Sequence, residues 1–145
     1  LGYLRCAKEA YPHMEAKGWG RIVNIDGMAA RMAAGVSGGM RNAAVMNATK
    51  VLSEELGPKG ITVNAIHPGA SKTEALAPRL QAQMERTGKT LEEVEADMAS
   101  GLAIRRLVTA PDIANVVAFL ASPKSVAITG DTIAAGGGVG RAIHY

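Results

Sequence analysis

Leu4, Ala7, Tyr11 and Met14 recur at helical spacing and Gly18 stops the pattern, which predicts a first helix over residues 1–17. Arg21-Ile22-Val23-Asn24-Ile25 is a short β-branched run and reads as a buried strand. Residues 26–39 are rich in Gly, Ala and Met without charge periodicity, as in a loop. From about Met40, the series Met40, Ala44, Ala48, Val51, Leu52 and Leu56 predicts a second helix, ended by Gly57-Pro58. Ile61 to Ile66 is the next strand. His67-Pro68-Gly69 should cut it off, since proline cannot donate to the ladder and glycine permits the turn.

After an irregular stretch, Thr90-Leu91-Glu92-Glu93 has the form of a capping box, and Thr109-Ala110-Pro111-Asp112 has it with proline in the first turn. The helix after the latter carries Ile113, Val116, Val117 and Leu120 on one face. Residues 127–135 read as a last strand, interrupted at Thr129-Gly130-Asp131 and ended by Gly136-Gly137-Gly138. Strands alternating with amphipathic helices argue for an α/β fold, with parallel strands joined by right-handed crossovers.

Composition narrows the class. At 145 residues with 48% hydrophobic and 20% charged side chains the chain is one domain's worth, residues 1–145, and excludes intrinsic disorder. The 17 glycines and 3% aromatics suit a parallel sheet of Val, Ile, Leu and Ala. A formal charge of +3, scattered along the chain, is too weak for a nucleic-acid binder. No apolar run approaches the ~18 residues of a membrane span. The single cysteine, Cys6, excludes a disulfide framework, fits a reducing cytoplasm and reads as a small buried side chain. His13, His67 and His144 show no metal-ligand spacing with one another or with Cys6, so no metal is expected.

Four segments, in order, carry a resemblance: Gly20 to Ile25; Glu54-Glu55-Leu56-Gly57-Pro58-Lys59-Gly60-Ile61-Thr62-Val63-Asn64-Ala65-Ile66-His67-Pro68-Gly69; Pro111-Asp112-Ile113-Ala114 with Phe119-Leu120-Ala121-Ser122; and Ile128-Thr129-Gly130-Asp131. Together they resemble the C-terminal portion of short-chain dehydrogenases/reductases. The resemblance implies part of a Rossmann-like doubly wound sheet, about three strands with flanking helices, from a fold that binds NAD or NADP. It also implies that the N-terminal dinucleotide-binding half is absent here, and with it the Gly-rich pyrophosphate turn. Gly136 to Gly140 does not replace that turn, because too little chain follows for a helix; Gly35 to Gly39 follows no strand and reads as a flexible turn.

The same resemblance implies a proton relay of tyrosine, a lysine four residues later, and serine. Those positions fall on Gly38, Asn42 and Gly27, so no catalytic residue is assigned; a register shifted by one puts Ser37 at the tyrosine position, and Arg41 keeps a positive charge nearby. Pro68, Gly69, Ala70 and Thr73 match the family's turn against the nicotinamide, and Asn42 stands where the lysine would hold the ribose. His67 could donate a proton, although a strand-end histidine is more often solvated or hydrogen-bonded. Residues 75–101 occupy the place of the substrate lid, where Met84, Leu91, Val94, Met98 and Leu102 either line a pocket or pack as core. Tyr145 could reach a neighbouring subunit.

The expected function is hydride transfer between nicotinamide and a small alcohol or carbonyl substrate, in a complete chain that binds the cofactor. The alternative is a non-catalytic binding or assembly module, built on the two-helix face through which family members form a homodimer or homotetramer. An incomplete product without a role is the third reading. A strand edge lacking its neighbour is an aggregation liability. The 145-residue chain alone should therefore be unstable or oligomeric, and a monodisperse monomer by sedimentation with a sharp calorimetric transition would contradict this.

Overall fold

The computed structural model describes residues 2–33 and 35–140. Its main sheet has three parallel strands in the order β1 (Gly20–Ile25), β2 (Ile61–Pro68), β5 (Thr132–Ala135). β3 (Ser71–Lys72) and β4 (Val108–Thr109) form a separate short parallel pair that the sequence pattern did not signal. The helices are α1 (Gly2–Glu15), α2 (Val36–Leu56), α3 (Ala77–Thr87), α4 (Leu91–Ala99) and α5 (Ala110–Ala121). His144 and Tyr145 lie outside the described residues.

β2 is the middle strand and is buried from Ile61 through His67. One face is covered by α1 and α2: Leu56, Ile61 and Val63 form a cluster packed by Tyr11, Met14, Ile22 and Leu52. Side chains alternate along a strand, so Arg21 points opposite to Ile22. There its Nε donates to the Ser122 carbonyl at 3.4 Å, just past the end of α5, which covers the second face and buries Leu120. Parallel strands need both faces covered, and the helices supply this.

Several boundaries move from expectation. α2 begins at Val36 rather than near Met40, so Val36 to Gly39 is its first turn and not a flexible loop. Tertiary contact holds that glycine-rich start, because a Cβ on Gly38 would rest 3.6 Å from the Ala29 Cβ. β2 continues through His67 and Pro68, which pair in register with Ala134 and Ala135. A proline lacks only the N–H, and its carbonyl still accepts. Cys6 is exposed, not buried.

The last strand is shorter than predicted because the chain before it meets β2 irregularly. Asn64 spans the gap, its Nδ2 donating to Ile128 O at 2.9 Å and its Oδ1 accepting from Asp131 N at 3.2 Å. The Thr129 hydroxyl accepts from Val63 N at 3.1 Å. Side chains thus replace ladder bonds that a regular strand would make through its backbone.

Both capping boxes are present, Thr90 with Glu93 and Thr109 with Asp112. Arg106 grips Asp112 through two bonds of 2.7 and 3.2 Å. That guanidinium, with the Thr109 backbone and hydroxyl, holds the Asp112 carboxyl far below the usual range. The irregular stretch predicted after residue 70 contains α3, which packs on α4; Val94 and Leu102 are buried there, Met84 and Met98 half-buried, and Leu91 exposed. These residues are largely packing.

Among the described residues, β1 has no strand on its outer edge. A groove of about 830 Å³ lies there between α1 and α2, lined by Ala7, Ala10, Ala44, Val45, Arg21 and Asn24.

Gly60 is the sharpest test of the packing. Its φ is +77°, and a Cβ there would lie 2.1 Å from the Gly18 carbonyl oxygen. Gly60→Ala should lower unfolding stability by about 3 kcal/mol, measured by urea denaturation.

Candidate functional site

The C-terminal ends of β1 and β2 bring together the positions singled out by sequence. β1 pairs with β2 up to Ile25 opposite Ile66, and Asp26 N donates to Ile66 O at 3.0 Å. The next residues across are Asp26 and His67. His67 Nε2 lies 3.1 Å from Asp26 Oδ2, and both side chains are wholly shielded from solvent. The other Asp26 oxygen accepts the Gly27 N–H. His67 Nδ1 has no hydrogen-bond partner among the described residues.

Of the two expectations for His67, solvated or hydrogen-bonded, the second is the one found. The sequence did not reveal Asp26 as its partner, because a carboxylate in a glycine-rich loop has no local signature. Burial pushes the His67 pKa below its usual value; Asp26 opposes that shift, and the nearby Arg31 guanidinium adds to it. Arg31 is itself tied to the sheet, donating to Thr132 O at 2.9 Å.

Gly27 and Asn42, the serine and lysine positions of the resemblance, touch each other. Asn42 Nδ2 donates to Gly27 O at 3.2 Å. A Cβ on Gly27 would approach that nitrogen to 2.8 Å. The Asn42 amide therefore occupies the space a residue-27 side chain would need. Behind them, Asn24 donates to Thr49 at 3.0 Å, a buried link from β1 to α2.

The turn after β2 is shaped by a close crossing. A Cβ on Gly69 would sit 2.8 Å from the Gly136 Cα, and one on Gly136 would sit 3.0 Å from the Gly69 Cα, so the backbones after β2 and β5 leave no room for side chains. Ser71 Oγ donates to Gly69 O at 3.3 Å. Ala70 and Thr73 are exposed, and Thr73 starts the short turn Glu74–Leu76 without its hydroxyl capping it. Next to Gly136, the segment meets the chain after α4: Ile104 N donates to Gly137 O at 3.2 Å, and Leu102 bridges to Val139.

This arrangement fits a nicotinamide cofactor in part. A side-chain-free crossing, exposed Ala70 and an uncommitted Thr73 hydroxyl leave backbone and hydroxyl groups open at the C-terminal strand ends, where open α/β sheets bind ligands. Asn42 could offer its carbonyl oxygen to a ribose hydroxyl while its nitrogen stays on Gly27. Gly27, Gly38 and Asn42 carry no group that donates and recovers a proton near neutrality. Among the described residues, no three His, Cys, Asp or Glu side chains cluster to hold a metal, and no helix is long and apolar enough to cross a membrane.

Comparison with known proteins matches residues 1–140 to a family described as enoyl-(acyl carrier protein) reductase. The short-chain reductase protein NovJ of Streptomyces niveus is 38% identical over 138 residues, which cover 94% of this chain and 51% of that protein. The crystal structure of YwfH, an NADPH-dependent reductase involved in bacilysin biosynthesis, superposes with a TM-score of 0.87 at 34% identity, covering 97% of this chain and 55% of that one. ElxO with NADP bound gives a TM-score of 0.79 at 32% identity over 94% and 53% of the respective chains. The chain thus spans about half the length of the proteins it matches.

The buried pair makes stability depend on pH. In the unfolded chain His67 takes up a proton near its ordinary value, whereas in the fold its pKa is lowered. The unfolded state then binds more protons as pH falls below about 6.5, so stability is full above that value and is lost as pH falls toward the folded pKa. Urea denaturation between about pH 7.5 and pH 5 should show this loss, and His67→Gln should remove its share of the slope.

Proposed function

We propose, from the premise that this chain belongs to the short-chain dehydrogenase/reductase family, that it is the C-terminal part of an NAD(P)-dependent oxidoreductase. The complete protein transfers hydride between nicotinamide and an alcohol or carbonyl in the cytoplasm, and residues 1–145 belong to a single Rossmann-like domain. The observation that carries this reading is the Gly69–Gly136 crossing, which opens the Pro68–Thr73 turn at the strand ends. Relatives described as NADPH-dependent or solved with NADP support the cofactor class.

Within that site Pro68 and Gly69 set the turn, and the backbone from Gly69 to Ala70 faces the nicotinamide end. The Thr73 hydroxyl bonds the cofactor, and Asn42 holds the ribose. Bound nicotinamide supplies the hydride, and residues of this chain orient it. The open edge of β1, beside the groove between α1 and α2, receives the strand of an N-terminal dinucleotide-binding half. Exposed Tyr3 and Leu4 on α1, with Met40 and Val51 on α2, provide the apolar contact of a homodimer or homotetramer.

One observation favours a second reading, a family member that binds without turning over. The Asn42–Gly27 bond fills the place of the proton relay with a structural tie. NADPH with a panel of ketones, followed at the nicotinamide absorbance, separates the two: oxidation supports the enzyme, and tight binding without oxidation supports the binding module. In either case Thr73→Ala should weaken NADPH binding about fivefold, the equivalent of ~1 kcal/mol for one lost hydrogen bond. Unchanged affinity in a titration of the folded variant would remove Thr73 from the site.

A further inference from the structure

A continuous set of bonds crosses the candidate site. Asn42, on α2, donates to the Gly27 carbonyl; the Gly27 N–H donates to Asp26; Asp26 faces His67; and His67 leads directly into Pro68-Gly69, which is locked against Gly136. The two walls of the site, the loop after β1 and the turn after β2, are fastened to each other through the Asp26–His67 contact. Both side chains are wholly shielded from solvent. We propose that Asp26 and His67 are positioning residues, which hold the Gly27 loop and the Pro68–Thr73 turn at the separation that the nicotinamide end of the cofactor requires.

The proposal rests on the reading of the Pro68–Thr73 turn as the nicotinamide site. Its chemistry follows from the single titratable ring in the brace. Neutral His67 donates from Nε2 to Asp26 and leaves Nδ1 as a bare acceptor. Protonation would put a donor on Nδ1 where no acceptor stands. It would also add a cation within the field of Arg31. The charged groups bearing on His67 are Asp26 and Arg31, both from the segment after β1. The register partner Ala134 and the buried α2 residues Val45, Thr49 and Ser53 are uncharged. A charged ring would gain attraction to Asp26, but burial and Arg31 outweigh it, so the brace holds best with His67 neutral, although His67 exchanges no proton with substrate.

The test titrates NADPH into the full protein from about pH 8 to about pH 5, for wild type and for His67→Gln, whose carboxamide still donates to Asp26 but does not titrate. Comparing the two cancels the cofactor's own ionisation. Wild-type affinity should fall about tenfold more than that of the variant on acidification, one pKa unit's worth of linkage. By reciprocity, saturating NADPH should lower the His67 pKa by the same factor, read from its ring nitrogens by NMR in the wild-type protein. This second reading decides the matter if the variant does not fold. A ring titration unmoved by bound NADPH overturns the positioning role and leaves the cofactor site standing. Absence of NADPH binding at every pH overturns the site and the brace together.

Discussion

The structure depends on one buried strand. β2 has a parallel neighbour on each edge and helices on both faces, so every polar group it carries must find a partner inside the protein. An unmet buried donor or acceptor costs about 1–3 kcal/mol. Asn64 meets that demand by bonding two backbone groups of the segment before β5, and it thereby fastens the C-terminal part of the chain to the sheet. His67 meets it at Nε2 with Asp26, whereas its Nδ1 and the Thr62 hydroxyl have no hydrogen-bond partner among the described residues. Asn64 and His67 are therefore the points at which the central strand holds neighbouring segments.

The candidate site inherits this geometry. Because His67 directly precedes Pro68 and Asp26 directly precedes Gly27, the pair that satisfies β2 also fixes both loops at the strand ends. Asn42 extends the connection to α2. The result is a candidate site whose two walls, the Gly27 loop and the Pro68–Thr73 turn, are braced against each other. Binding geometry and proton chemistry are separable in such a site, since backbone contacts survive substitutions that remove a relay.

The segment after α4 is joined to the same frame from the other side. Gly137 and Gly138, at φ of +69° and +75°, let the chain after β5 turn beneath Ala103 and Ile104, which donate to their carbonyls. Gly136 meanwhile presses on Gly69. One short glycine segment thus touches both the turn after β2 and the segment after α4. Residues there serve close backbone approach, which is why a phosphate-binding role for Gly136 to Gly140 finds no support in their geometry.

The sequence by itself determined the parallel α/β class, the positions of β1 and the start of β2, and both capping boxes. These follow from local periodicity and from side chains that bond within a few residues. Only the tertiary structure decided the first turn of α2, the extension of β2 through Pro68, the shortened β5 and the exposure of Cys6. It alone brought Asp26 to His67 and Gly69 to Gly136, pairs separated by 41 residues in the first case. Such contacts are set by strand register and by how closely two backbones pass, and neither is written in the spacing of apolar residues along the chain.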